Sequence, residues 1–319
     1  MSRKAKIIRE FVCARSIKWA LIPLLIIELA AVGCESTSSP PESTKPRGIV
    51  IGILLCMTED TPFFISLVKG AKEAAERLNV KLAVKYARDN VELQCMQIRS
   101  LVDERVSALL VNPVSDAVVP EIEAATVAGI TVFTIDRSAS CDAIVSHIAS
   151  DNLSGGRMAG EYLAEMLHRK GKVVELEGTP SSSAARDRGN GFNQAIASFP
   201  QIEVVARETA NFNKSDGKRV FAGILAEHPE IDGVFAHNDD MILGAIQAAK
   251  EAGRAKEIKF VGFDAIEDAI MAIERGDLLA SIAQRPTEMG RIGVELAVKY
   301  LNGESVPKST PVDLALIIK

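Results

Sequence analysis

At 319 residues, with 47% hydrophobic and 25% charged side chains, the chain has a globular composition and enough length for two lobes. A formal net charge of −5 at pH 7 suits no phosphate backbone, so no nucleic-acid partner is expected. Only 5% of the residues are aromatic, and the sole Trp, Trp19, falls in the first segment.

That first segment reads as an export leader rather than as part of the fold. Residues 1–18 carry six basic side chains, Arg3, Lys4, Lys6, Arg9, Arg15 and Lys18, against the single acid Glu10. The apolar run WALIPLLII follows from Trp19 to Ile27, interrupted by Pro23. It is about half the ~20 residues a spanning helix needs. The AVGC sequence at Ala31–Cys34 resembles a bacterial lipoprotein cleavage box, in which the Cys is acylated and becomes the new N-terminus. Residues 1–33 are therefore read as the leader. Residues 34–47, rich in Ser and Pro, are read as a flexible tether behind a lipidated Cys34. Without the leader and its six basic groups the remaining chain is more acidic. Cys56, Cys95 and Cys141 then remain, an odd number with no metal or disulfide-framework spacing. They read as buried free thiols, with a single bridge left open.

From Gly48 the chain alternates strand and helix, the signature of parallel sheets covered on both faces. IVIGILL at Ile49–Leu55 predicts a first strand. Phe64, Leu67, Val68, Ala71, Ala75 and Leu78 then recur at helical spacing, with charged residues on the other side. Further strands are predicted at Lys81–Val84, Ala108–Val111, Thr131–Ile135 and Ile144–Ile148. After Asp151 a second series runs through Lys172–Gly178, Ile202–Ala206, Gly233–His237, Lys259–Phe263 and Leu279–Ala283. PVDLALIIK, from Pro311, predicts one last strand. Two such α/β series imply two lobes with a cleft between them.

Several of these strands end in a polar group suited to hydroxyls. Asp136 and Arg137 follow VFTI, Asn238 follows GVFAH, Asp264 follows KFVGF and Gln284 follows ASIA. In open α/β sheets ligands bind at that edge, and carboxylates, guanidiniums and amides together offer both donors and acceptors. No GxGxxG follows a strand, no phosphate loop is formed, and His147, His168, His228 and His237 lack zinc spacing, so no cofactor and no metal are expected. Asp239 and Asp240 read as acids at a helix start, where the macrodipole favours them. The pattern points to holding a neutral polar molecule without changing it, not to an enzyme.

The phrases TPFFISLVKGA, LLVNPVSDAV, TIDR, VSHIASDN, SAARDRGNGF, FAHNDDMILGA, VGFD, SIAQRP and PVDL, in this order and spacing, resemble the periplasmic sugar-binding proteins of ABC importers, the D-ribose binders in particular. The resemblance covers Gly48–Lys319. It implies an α/β two-lobe type I periplasmic-binding-protein fold, each lobe an open parallel sheet with helices on both faces, joined by three hinge crossovers. The crossovers would fall near Ser150-Asp151, Gln284-Arg285 and Pro311-Val312, giving lobes of 48–150 with 285–311 and 151–284 with 312–319. It further implies that Phe63 and Phe64 pack one sugar face, and Phe212, with Phe263, the other. Asp136 and Arg137 from one lobe, and Arg188, Asn238, Asp264 and Gln284 from the other, would bond the hydroxyls. The rim position usually held by Asn in the family is Thr61 here, and the preceding CMTED is about one residue longer. The implied partners are a monosaccharide, D-ribose first, an inner-membrane ABC permease and a chemoreceptor, for a monomeric protein on the periplasmic or cell-surface side. Allose, another pentose or a furanoside are alternative ligands. The effector domain of a sugar-responsive repressor would need an N-terminal helix-turn-helix, where this chain has a leader and tether.

Overall fold

In the computed structural model of the chain, residues 48–319 are described; the leader, Cys34 and the tether expected in 1–33 and 34–47 lie outside them. The first series comprises β1 (Val50–Leu55), α1 (Pro62–Leu78), β2 (Lys81–Tyr86), α2 (Val91–Asp103), β3 (Ala108–Val111), α3 (Val119–Val127), β4 (Thr131–Ile135) and β5 (His147–Ser150). The second comprises α4 (Asn152–Met166), β6 (Lys170–Glu177), α5 (Ser183–Ile196), β7 (Gln201–Thr209), α6 (Lys214–Glu227), β8 (Gly233–Ala236), α7 (Asp239–Glu251), β9 (Lys259–Asp264), α8 (Glu267–Arg275) and β10 (Ala280–Ala283). The chain closes with α9 (Pro286–Leu301), β11 (Ser309–Val312) and β12 (Ala315–Ile318).

The strands form two six-stranded sheets of matching order, β2-β1-β3-β4-β5-β11 and β7-β6-β8-β9-β10-β12. In each, the order reverses beside the first strand of the series. Loops leaving the strands on either side of that point diverge and open a crevice at the C-terminal edge. Both sheets are buried on two faces. Ile53, Leu55, Phe133 and Ile135 pack in a cluster with α1 and α9, while Leu54, Leu109 and Val132 pack in another with α2 and α3. The second sheet repeats this, with Val234 and Phe260 on one side and Phe235 and Phe263 on the other.

Helix α1 follows the apolar spacing of its sequence. Pro62 opens it, Phe64, Leu67, Val68, Ala71 and Ala75 are buried, and Asn79 ends it in the left-handed conformation. It lies directly on α9. A Cβ added at Gly290 would sit 2.0 Å from the Leu67 carbonyl oxygen, so the two backbones touch in a way only glycine permits.

Three strands depart from the sequence expectation. β7 runs on to Thr209, three residues past the expected Ala206. The fifth begins at His147 instead of Ile144. The expected single last strand is two, broken at Asp313-Leu314. β11 extends the first sheet parallel to β5, and β12 joins the second antiparallel to β10. The second sheet is therefore mixed, because its last strand arrives from the other lobe with no helical crossover to reverse it. The chain passes between the sheets after β5, after β10 and after β11.

Candidate functional site

The C-terminal edges of the two sheets face one another across a cavity with about 520 Å³ of free space, its mouth included. Ten of the eleven side chains singled out by sequence line it: Thr61, Phe63, Phe64, Asp136, Arg137, Arg188, Phe212, Asn238, Asp264 and Gln284. Phe263 does not. It points from β9 into the core against α4, fully buried, and the Arg188 guanidinium lies 3.8 Å from its ring centroid. Strand alternation decides this: Asp264 turns to the cavity, so its neighbour turns away. Phe263 supports Arg188 from behind rather than forming a wall.

On the first lobe, Phe63 and Phe64 meet edge to face with centroids 5.4 Å apart. Phe64 is also part of the core, whereas Phe63 is half-buried. Asp136 has φ 63°, a left-handed turn that ends β4 and swings its carboxylate onto Asn112, whose Nδ2 donates to Oδ2 at 2.8 Å. Asn112 itself is fixed by the Cys56 N–H, which donates to its Oδ1. Burial pushes the Cys56 thiol up to about 12. Arg137 is buried and reaches across the cleft to lie 5.4 Å from the Phe212 centroid, and its Nη1 has no protein partner.

On the second lobe, Arg188 donates from Nε to Asn152 Oδ1 at 2.8 Å and from Nη1 to the His237 carbonyl at 2.5 Å. Its Nη1 is 3.6 Å from Asp264 Oδ1. Gln284 Nε2 donates to that same oxygen at 2.6 Å, leaving Gln284 Oε1 buried without a partner. Burial raises the Asp264 carboxyl to about 7, with the Arg188 charge opposing the rise. Asn238 Oδ1 accepts from the Met241 N–H and caps α7, while its Nδ2 reaches the Phe212 carbonyl at 3.4 Å. Asn238 thus serves as a cap and lines the cavity at once.

Phe212 sits at φ 58° in the loop between β7 and α6. Its ring lies over Gly178, where an added Cβ would be 2.1 Å from Cζ, so glycine there lets the ring approach the backbone. Three cavity residues, Asp136, Phe212 and Asp264 (φ 109°), have positive φ without being glycine. Such conformations are each worth about 1–3 kcal/mol of strain and cluster at ligand sites. Across the cleft the Ser138 N–H donates to Ser183 Oγ at 2.8 Å, and Ser181 Oγ donates to the Val114 carbonyl at 3.3 Å. The lobes are closed on the cavity.

The sequence pattern did not mark Met57, Pro62, Ala184, Asp240 and Ile266 in the wall, or Asn112, Asn152 and His237 behind it. Asn112 and His237 were visible as polar groups at the ends of ALLV and GVFA. Asp240 is both an acid of the α7 first turn, as its place in the sequence predicts, and a wall residue. Among the described residues Cys56, Cys95 and Cys141 are free, and no group of three or more His, Cys, Asp or Glu could hold a metal ion.

Two equivalent lobes, three connections and a polar cavity with aromatic walls define a cleft-type solute-binding protein. The family model described as periplasmic binding protein domain matches residues 51–305, and the chain belongs to this family. It is 42% identical over 267 residues to the ribose import binding protein of Salmonella typhimurium, covering 83% of this chain and 90% of that one. It is 35% identical over 296 residues to the ribose import binding protein of Bacillus subtilis, covering 92% and 95%. A solved solute-binding protein from Actinobacillus succinogenes with bound D-allose superposes with a TM-score of 0.80 at 30% identity, covering 85% of this chain and 97% of the other.

Proposed function

We propose that D-ribose is the solute this chain binds, as the sugar-binding component of an ABC importer. The observation that carries this reading is the convergence on one closed cavity of Asp136 and Arg137 from one lobe with Arg188, Asn238, Asp264 and Gln284 from the other, between Phe63 and Phe212. A pyranose has apolar C–H faces, which suit aromatic rings, and a belt of hydroxyls, which suits charged planar groups. Arg137 Nη1 and Gln284 Oε1, a buried donor and a buried acceptor without protein partners, fit hydroxyls that accept and donate. Relatives that are ribose import binding proteins support the choice of sugar.

In this reading the two lobes swing about the three connections, the last of which falls at Asp313-Leu314 and not at the expected Pro311-Val312, because Val312 still pairs with Ser150 in the first sheet. Closure follows from ligand contacts that only the closed form completes. The sugar is handed unchanged to an inner-membrane permease, and the monomer needs no cofactor. The protein is exported and held at the membrane through an acylated Cys34, where it is also open to a chemoreceptor.

A second sugar is favoured by one observation. Thr61 lines the rim at the position where the family resemblance implies an Asn, and the solved neighbour holds D-allose. A melting screen of the purified protein over D-ribose, D-allose, other pentoses and furanosides decides between them. At a thousandfold excess over Kd the cognate sugar adds about 4 kcal/mol of stability. A shift with another sugar and none with D-ribose would reject ribose and keep the binding class.

A further inference from the structure

We infer that His237 and Glu175, which lie outside the cavity, form a positioning pair that sets the second-lobe half of the sugar clamp; the inference rests on the cavity being a sugar site. Glu175 is 0% exposed and His237 1%. A carboxylate inside a strand flanked by neighbours on both sides is costly unless every oxygen is bonded. Here Oε1 faces His237 Nε2 at 2.9 Å, and Oε2 accepts from Arg207 Nε at 2.6 Å and Asn193 Nδ2 at 3.1 Å. On the other side of the imidazole, the Gly178 N–H donates to Nδ1 at 3.2 Å. A ring nitrogen that accepts from an amide carries no proton, so Nε2 carries it and donates to Glu175. Burial works against the Glu175 carboxylate, but the hydrogen bonds from His237 and Arg207 outweigh it and hold its pKa below the usual range.

Three lines run from this fixed ring to the cavity. The His237 carbonyl accepts from Arg188 Nη1. The next residue is Asn238, which caps α7 and lines the wall. The third line is Gly178, held by Nδ1, whose backbone is the platform under the Phe212 ring. A rotated or unanchored imidazole would move a guanidinium, an amide and an aromatic face together. Loss of an ordinary core contact would not bear on all three. His237 is a positioning residue, since it touches no cavity surface itself.

Glutamine can replace both ring functions, with its carbonyl accepting from Gly178 and its amide donating to Glu175; leucine can replace neither. Titration calorimetry of the purified protein with D-ribose and with D-allose should therefore give His237→Gln within about threefold of wild type for the sugar that binds. His237→Leu should be weaker by about tenfold or more, as expected when buried partners are left unpaired. Nitrogen-15 spectra of the histidine rings should show one Nε2-protonated neutral imidazole that is altered in Glu175→Gln. Equal affinity of His237→Leu and wild type, or equal loss in the Gln and Leu variants, would overturn the inference. So would an Nδ1-protonated ring, a result that stands even if the Leu variant fails to fold. Failure of the wild type to bind either sugar would overturn the sugar reading and this inference with it.

Discussion

Arg188 directs its Nε and Nη1 into its own lobe, to Asn152 and the His237 carbonyl, and stacks on Phe263. Arg137, by contrast, leaves Nη1 without a partner and reaches toward the opposite lobe. The two guanidiniums should therefore respond differently to truncation. Arg137→Ala should weaken sugar binding by about 1.5–3 kcal/mol, the size of a charge-assisted hydrogen bond, with little change in the ligand-free melt, whereas Gln284→Ala also removes the donor to Asp264 Oδ1 and should lower that melt as well. Arg188→Ala should lose binding and also lower the ligand-free melting temperature, because buried acceptors are left unpaired. Calorimetry paired with melts checks this; an unchanged melt for Arg188→Ala would refute the structural half. Asp264 provides a pH dependence. Its carboxyl is raised to about 7 by burial, against the Arg188 charge. Between the unfolded value near 3.9 and about 7, the folded chain holds a proton the unfolded chain has lost. Stability from this group is complete below that window and is lost as pH rises through it. Asp264→Asn should flatten this part of the ligand-free stability profile. Sugar hydroxyls donating to the carboxylate favour its ionised form, so binding near neutral pH should release a proton. Calorimetry in two buffers of different ionisation enthalpy would detect it, and identical heats would count against the assignment.

The elements themselves were legible wherever apolar periodicity was strong. β1, β3, β4, β8 and β9 lie where short buried runs predicted them, and α1 buries the face its spacing marked. Apolar pattern does not record which sheet a strand joins or which face a residue takes. PVDLALIIK is one apolar run, yet Val312 and Ala315 belong to different sheets, and only pairing with β5 and β10 divides it. Phe263 and Asp264 are adjacent letters, but pleating sends one to the core and the other to the cavity. Helix contacts were equally hidden. Gly290 looks like a weak helix former in sequence, whereas in the fold it is the contact that lets α1 and α9 meet. Gly290→Ala should destabilise the ligand-free protein by about 1–3 kcal/mol or more through overpacking. The Leu67 carbonyl is backbone and cannot swing aside. Denaturant unfolding measures this, and a midpoint equal to wild type would show that the helices separate at no cost.

At the scale of the whole molecule the closed form is held by contacts from one lobe to the other as well as by any ligand. The Ser138 N–H to Ser183 Oγ bond, the Ser181 to Val114 carbonyl bond and the Arg137–Phe212 contact all cross the cleft. Ser183→Ala removes one of them while touching no cavity-lining side chain. It should weaken binding by only about 0.5–1.5 kcal/mol, a single neutral hydrogen bond. It should also shift small-angle scattering of the ligand-free protein toward a more open form. Unchanged scattering with unchanged affinity would mean that this bond does not contribute to closure. For the proposed anchor, Cys34→Ser should release soluble or unprocessed protein, since stable attachment needs more than one acyl chain. Mass spectrometry of the wild type showing an unmodified Cys34 would reject it.

Periodicity and the polar tips after VFTI, GVFAH, KFVGF and ASIA determined the α/β class, the two series and five residues of the cavity wall, because strand ends in an open sheet converge on one edge, and the family resemblance implied five more. Which neighbour faces the cavity, which glycines separate helices and how the last strand divides were decided only in three dimensions. So was the support behind the wall, Asn112 under Asp136, Asn152 under Arg188, and His237 with Glu175 under three residues at once. Such partners lie 24 to 62 residues apart in the chain. Local sequence records what each side chain can donate or accept, and the packing of the two sheets decides which of those groups meet.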